Sequence, residues 1–255
     1  ALRLLQHWKK HNISVEAFGI GDRAMEKEGF ECLGRAEDLA VVGFSEVISH
    51  WGVIKKAFYD NVKAVEERSP DLVLLLDYPG FNLRFAKKVK QQFGVPVVYY
   101  ISPQVWAWKT GRVKTIRQVV DKMLVVFPFE TDFYAGHNMQ AEFVGHPLLD
   151  ELDPQHLDEK ARVAHRARYG LKPEDVLLAL MPGSRVSEIK HHLQVQLEAA
   201  RLLLKKHPNL KVALFVAPNF EKEQMQGWLE GLDFPLMLIK DEPFSMIDLA
   251  DVVLC

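Results

Sequence analysis

Cysteine is almost missing from this chain: Cys32 and Cys255 are the only two. A pair of cysteines builds no disulfide framework, and so sparse a use of thiols points to a reducing compartment. Charge of one sign is missing as well. The formal net charge is −2 and the two halves barely differ, so there is no charged tail and nucleic acid is not expected as a partner. No apolar run approaches the roughly 18 residues that a membrane span needs. The 10 histidines show no metal spacing: His-Glu-x-x-His does not occur, and the adjacent His191 and His192 point apart. Asp-x-Asp is absent too, and neither a metal nor a cofactor is expected. Internal repeats and low-complexity tracts are also lacking.

What is present is a soluble globular composition, 48% hydrophobic and 26% charged over 255 residues, enough for one large or two medium domains. Unbroken apolar runs alternate with helical patterns. Strands are expected at 15–20, 72–76, 96–100, 123–127, 143–144, 176–180, 211–216, 236–239 and 252–254. The helix at 44–65 carries its stripe on residues 44, 47, 51, 54, 58, 62 and 65. Apolar strands alternating with helices mean parallel sheet covered on both faces. The polar run Asp150 to His156 reads as a linker and splits the chain into two doubly wound αβα units, 1–150 and 151–255. Ligands sit at the carboxyl ends of strands in such sheets, and two facing units would form a cleft lined by those turns. The chain opens inside a helical pattern without Met and stops just past an apolar run. A doubly wound domain normally opens with a strand, so further material is expected on both sides.

The strand-end turns hold the candidate chemistry. After the strand at 176–180 come Met181-Pro-Gly-Ser-Arg185 and a helix starting near Ser184. A helix N-terminus with open N–H groups, a Gly183-Ser184 turn and the forked cation of Arg185 together suit a phosphate. The same residues also suit an ordinary βα turn with a solvated Arg, and the motif alone does not separate the two. Asp77 follows a buried strand into a Pro-Gly turn, where a carboxylate can accept a proton or merely cap the turn. Asn82 could serve as a helix cap. Trp106, Trp108, Lys109, Arg112, Lys114 and Arg117 form an aromatic and basic cluster suited to a sugar or acyl group beside a phosphate, or to a solvated helix with a partly buried Trp. His146 lies in a Gly-His-Pro turn. Trp51, Phe58 and Tyr59 beside Lys55 and Lys56 suit either a core stripe or a helix lying on an anionic membrane.

Several motifs occur together and in order: Leu39-Ala-Val-Val-Gly43 with Glu46-Val47, Asp77-Tyr-Pro-Gly-Phe-Asn82, and Tyr100-Ile-Ser-Pro-Gln-Val-Trp-Ala-Trp108. They are followed by Phe127-Pro-Phe-Glu130 with Phe133-Tyr134, Phe143-Val-Gly-His-Pro147 and Met181-Pro-Gly-Ser-Arg185. Over nearly its whole length the chain resembles the lipid-A-disaccharide synthases, inverting glycosyltransferases built of two Rossmann-like domains (GT-B type). The Ser-Pro-Gln-Val-Trp-Ala-Trp run is the most specific part. The resemblance implies an acceptor-side domain at 1–150, lacking its first strand, and a partial domain for the nucleotide sugar at 151–255. It implies transfer of a diacylglucosamine from UDP to a diacylglucosamine 1-phosphate, on the inner face of a Gram-negative inner membrane. Asp77 then resembles the general base for the acceptor 6-hydroxyl. Gly183, Ser184 and Arg185 resemble the seat that steadies the UDP phosphates, and the missing Asp-x-Asp fits a route without metal. Asn82, Trp106, Trp108, Lys109 and Arg112 join the substrate-binding set, and the helix at 44–65 is the expected contact with anionic lipid. A homodimer is compatible with the resemblance. The family's N-terminal Gly-Glu-x-Ser-Gly-Asp loop and its Ser-Gly-Thr-rich nucleotide segment have no counterpart here, so the chain by itself is expected to be inactive. Another UDP-sugar enzyme, such as a 2-epimerase, or a non-catalytic nucleotide-binding module would share the fold and phosphate turn, but would not need the Trp-Ala-Trp run.

Overall fold

The computed structural model describes residues 1–36, 51–151, 158–240 and 243–255. They fall into two compact units, Ala1–Pro147 and Leu148–Cys255. In the first, helix α1 (Leu2–Lys10) precedes a parallel pair of strands, β1 (Phe18–Gly21) and β2 (Glu31–Arg35), joined through the short α2 (Arg23–Lys27). Helix α3 (Trp51–Arg68) then leads to a parallel sheet whose order follows the sequence: β3 (Val73–Leu76), β4 (Val97–Tyr100), β5 (Lys122–Val125) and β6 (Ala141–Phe143). Its crossovers carry α4 (Pro79–Phe93), α5 (Val105–Trp108), α6 (Arg112–Val119) and α7 (Phe129–Ala135). Val73, Leu75, Val97, Tyr99, Met123 and Val125 point to one face and are buried with α3, α4 and α6 in a single apolar core. The alternate residues Leu74, Leu76, Val98, Tyr100 and Leu124 are only half-buried.

The second unit runs α8 (Glu159–Arg168), β7 (Val176–Leu180), α9 (Val186–Leu204), β8 (Leu210–Phe215), α10 (Lys222–Gly227), β9 (Met237–Ile239), α11 (Pro243–Leu249) and β10 (Val252–Leu254). Its four parallel strands are ordered β10-β7-β8-β9. Here the sheet is sealed on both sides, as the apolar runs imply. Leu178, Leu180, Val212 and Leu214 pack with Ile189, Leu193 and Leu197 of α9. The intervening Leu177, Ala179, Ala213 and Phe215 pack with Met246 and Leu249 of α11. The chain leaves β7 toward β8 and β9, then returns to lay β10 on the other side of β7. Strand order therefore reverses at β7, the position at which open α/β sheets bind ligands.

Some sequence-based boundaries shift. Strand β2 is unexpected from the sequence, since Glu31-Cys-Leu-Gly-Arg35 has no apolar alternation; it forms by pairing with β1. Helix α4 begins at Pro79, so Asn82 lies inside its first turn rather than ahead of it. Proline is well suited to that first helical position. The expected helix at 44–65 is described from Trp51 onward, running to Arg68; its residues 44–50 and the Leu39–Val47 motif lie outside the described residues. Trp51, placed by the stripe on the core face, is instead exposed, whereas Val62 and Val65 of the same stripe are buried.

A charged knot closes the second unit. The guanidinium of the buried Arg166 donates to the Leu249 and Asp175 carbonyls, each at 2.6 Å, and to Asp251 Oδ2 at 2.9 Å. Arg162 reaches Asp251 Oδ1 at 2.7 Å, and the Leu177 N–H donates to Asp251 Oδ2 at 2.8 Å. Burial raises the Asp251 pKa, but the Leu177 N–H, Arg162 and Arg166 outweigh it and hold the carboxyl below its ordinary value. A depressed carboxylate contributes stability above its unfolded pKa and loses it as pH falls toward the folded value. Asp251→Asn should therefore cost about 3 kcal/mol at neutral pH, because Arg166 is left buried without its counter-charge. Denaturant titration of both proteins should show the difference shrinking as pH drops below about 4; a constant difference would mean that the carboxylate charge is not what matters.

Candidate active site and phosphate turn

In the first unit the candidate residues gather at the carboxyl edge of the β3–β6 sheet. The backbone there is unusual. Asp77 and Tyr78 have φ of +46° and +40°, and Ile101, just past β4, has φ of +64°. The left-handed region costs a non-glycine residue on the order of 1 kcal/mol or more, and a β-branched residue enters it least readily. Three such residues follow two neighbouring strands, so the strain is concentrated on one edge. It is held by side-chain donors, one buried and one half-buried. Tyr99, fully buried in β4, donates its hydroxyl to the Asp77 carbonyl at 2.6 Å. Asn82 donates to the Leu76 carbonyl at 2.9 Å and to the Asp77 carbonyl at 2.6 Å. Burial pushes the Tyr99 phenol well above its ordinary pKa, keeping it protonated as a donor. Asn82, expected among the substrate-binding residues, thus has its amide N–H groups committed to the turn.

The Asp77 side chain is exposed, and among the described residues none donates to its carboxylate. Next along the edge, the buried Ser102 and Tyr134 hydroxyls lie 2.7 Å apart, and burial pushes the Tyr134 phenol up to about 12. Trp106 packs edge-on against Phe129 at 5.0 Å, Phe129 stacks on Phe127 at 5.7 Å, and Phe127 meets His146 at 5.5 Å. Trp108 is exposed, with Lys109 Nζ 4.0 Å and the Arg112 guanidinium 6.0 Å from its ring centre. Cations are therefore stacked on an aromatic face at the surface. Arg117 is turned away to the His137 carbonyl. Tyr99 escapes a sequence reading because a single aromatic near a strand end looks like a core residue; only the pairing of β3 with β4 brings its hydroxyl to this turn.

In the second unit the Pro182-Gly183-Ser184 turn follows β7 at the point of strand reversal, with the Met181 N–H donating to the Leu254 carbonyl at 2.8 Å. Helix α9 starts at Val186, with Arg185 as its N-cap. The expectation of open N–H groups needs correction. Glu188 Oε2 accepts from the Ser184 N–H at 2.9 Å and the Arg185 N–H at 3.2 Å, while Oε1 pairs with Arg185 Nη1 at 2.7 Å. The Ser184 N–H first, with the Arg185 side chain behind it, holds the Glu188 carboxyl below its ordinary pKa. An anion already occupies the seat, and it belongs to the chain itself. Gly183 makes room for it: φ is +123°, and a Cβ there would lie 2.5 Å from Glu188 Cβ. His192 and the buried Gln196 of α9 approach the Pro182 and Met181 carbonyls at 3.2 and 3.4 Å. Among the described residues no cluster of three or more His, Cys, Asp or Glu is placed to hold a metal ion.

These features were compared with known proteins. Solved structures with similar coordinates include the UDP-GlcNAc 2-epimerase from Neisseria meningitidis bound to UDP-GlcNAc. It has a TM-score of 0.63 and 11% identity, covering 99% of this chain and 72% of that one. The corresponding enzyme from Methanocaldococcus jannaschii gives a TM-score of 0.54 at 12% identity, covering 98% of this chain and 73% of that one. At such identities the likeness shows the fold alone, that of the GT-B type. Sequence relatives are much nearer. The lipid-A-disaccharide synthase of Trichlorobacter lovleyi is 41% identical over 237 residues, 93% of this chain and 61% of that protein. The one from Geobacter metallireducens is 39% identical over 240 residues, 94% of this chain and 61% of that protein. The chain thus spans about three-fifths of the length of these relatives. The family model described as lipid-A-disaccharide synthetase matches residues 1–255, and the chain belongs to that family.

Proposed function

We propose that the protein containing this chain is a glycosyltransferase that moves a diacylglucosamine from UDP to a diacylglucosamine 1-phosphate, forming the lipid A disaccharide and releasing UDP. The observation that carries this reading onto particular residues is the exposed Asp77 carboxylate, which accepts from no donor among the described residues, on a strained turn at the carboxyl end of β3. Asp77 accepts the proton of the attacking acceptor 6-hydroxyl, and a carboxylate that no described donor engages is available to do so. Trp108 with Lys109 and Arg112 offers an aromatic face and two cations to a sugar bearing phosphate and acyl groups. In the second unit, Gly183, Ser184 and Arg185 receive the UDP phosphates, and the growing charge on the leaving diphosphate is met by Arg185 and the start of α9. A phosphate entering there competes with Glu188 for the same donors. The UDP-GlcNAc bound to the similarly folded Neisseria enzyme supports a nucleotide-sugar reading. A 2-epimerase reading is not favoured, because the likeness to those enzymes stays near 11% identity against 41% for the synthase of Trichlorobacter lovleyi.

A lipid substrate requires a surface that meets the bilayer, and among the described residues no helix is long and apolar enough to cross a membrane. Helix α3 supplies the surface. Its first half exposes Trp51, Val53 and Tyr59 beside Lys55, and Lys56 pairs with Asp60 at 2.6 Å. The protein then works as a peripheral enzyme on the cytoplasmic side of an anionic inner membrane; a homodimer is compatible with this arrangement.

Arg185→Ala should lose roughly 2 to 4 kcal/mol of transition-state stabilisation, read as kcat/KM with UDP-diacylglucosamine. An unchanged value in a folded variant would remove Arg185 from the phosphate seat. Asp77→Asn keeps the shape of the turn but cannot take a proton, so turnover should fall by about 10² to 10⁴ while donor affinity hardly moves. Turnover near the parent rate would leave Asp77 a turn residue. Binding to anionic vesicles should weaken with salt, since each lysine near the surface contributes about 1 kcal/mol. Tyr59→Glu or Lys55→Glu with Lys56→Glu should weaken it further without lowering the melting temperature; equal binding by these variants would place the lipid surface elsewhere.

A further inference from the structure

Asp77 presents a puzzle that its own side chain does not answer. Nothing among the described residues anchors its carboxylate; among them it is the backbone that aims it. That backbone is in the left-handed region at two successive non-glycine residues, with φ of +46° and +40°. Left alone, such a turn relaxes toward ordinary conformations and swings the side chain with it. Two donors from different elements converge on a single atom, the Asp77 carbonyl oxygen, each at 2.6 Å: the Tyr99 hydroxyl from β4 and the Asn82 amide from α4. Asn82 also ties the preceding Leu76 carbonyl at 2.9 Å. Tyr99 has no contact with solvent, so its hydroxyl has no water to donate to in place of the Asp77 carbonyl. Strand β4 is locked beside β3 by the register Leu75↔Tyr99, which brings the phenol to the turn after β3.

We propose that Tyr99 and Asn82 are positioning residues, clamping the Asp77 carbonyl so that a strained backbone holds the carboxylate at one orientation for proton transfer. This rests on Asp77 being the base, as proposed above. The clamp acts on the turnover step and leaves substrate affinity alone. A strand residue, a helix residue and the strand-end turn thereby act as one unit, and removing one part forfeits most of what the others contribute.

Tyr99→Phe deletes one hydroxyl with no change of ring volume. In the two-substrate transfer assay with the purified protein it should lower kcat about tenfold, the effect of one lost hydrogen bond, with both KM values unchanged within about twofold. Asn82→Ala, which removes the second donor, should give the same pattern. Introduced into Asp77→Asn, the Tyr99→Phe change should cost no further activity, because there is no longer a base to aim. Equal losses in both backgrounds, or an unchanged kcat in the single variant, would overturn the clamp while leaving Asp77 as the base. Full activity of Asp77→Asn itself would remove the base assignment and the clamp with it.

Discussion

In a parallel sheet every strand delivers the chain to the same edge, and the ladder of hydrogen bonds ends there. The turns at that edge must satisfy their own backbone groups, and how they do so decides what chemistry the edge can host. The two units solve the problem in opposite ways. After β3 the chain accepts left-handed geometry at Asp77 and Tyr78, and the resulting carbonyl is capped by side chains from behind, Tyr99 and Asn82. After β7 the chain uses Gly183 to turn, and the resulting N–H groups are capped from the front by Glu188. One edge therefore presents an anion that no described residue pairs, and the other presents donors that an anion already fills.

The filled seat follows from elementary electrostatics. A helix start with two free N–H groups and an adjacent guanidinium attracts negative charge, and the nearest source is a carboxylate three residues into the helix. Glu188 is partly exposed, and the Ser184 N–H and the Arg185 side chain hold its carboxyl below the ordinary pKa. Its hold is local: the contacts span three or four residues, whereas the turn itself is anchored by the Asn219 amide on the Ser184 carbonyl and by the Met181 N–H on β10. The turn can keep its shape when the carboxylate leaves.

Much of this was legible in the sequence, and the parts that were not share a cause. Continuous apolar runs such as Val176–Leu180 announce strands buried on both faces, and Pro-Gly turns mark where they end, so the alternation of parallel strands and helices could be read directly. Asp77, Arg185 and the Trp106–Arg112 block could be picked out because they place charge and aromatic faces at strand ends, where such sheets bind ligands. Strand β2 could not, because Glu31–Arg35 has no pattern of its own and exists by pairing with β1. Tyr99 looked like one more apolar residue of β4; its hydroxyl has meaning only once β3 lies beside it. That Glu188 fills the expected phosphate seat depends on the fold of Gly183. Local chemistry is written in local sequence, while partnerships across strands are not.

Helix α3 shows the same limit from another side. Its apolar stripe is continuous in sequence, yet Val62 and Val65 are buried while Trp51 is exposed, so one period serves two environments. A stripe records which residues share a face; what covers that face is decided by the elements packed nearby. Phe58 sits where the two environments meet. It packs edge-on against Phe81 at 5.5 Å and Phe85 at 5.9 Å, and Phe81 stacks on Tyr78 at 6.0 Å. Tyr78 is the residue next to Asp77. The exposed aromatic half of α3 is thus joined to the strained turn through packed rings, which have few alternative rotamers and little room to yield. The turn that carries the Asp77 carboxylate is in contact, ring by ring, with the apolar surface of α3. Under the function proposed above, this packing puts the carboxylate and the surface proposed to meet lipid on one connected body of side chains.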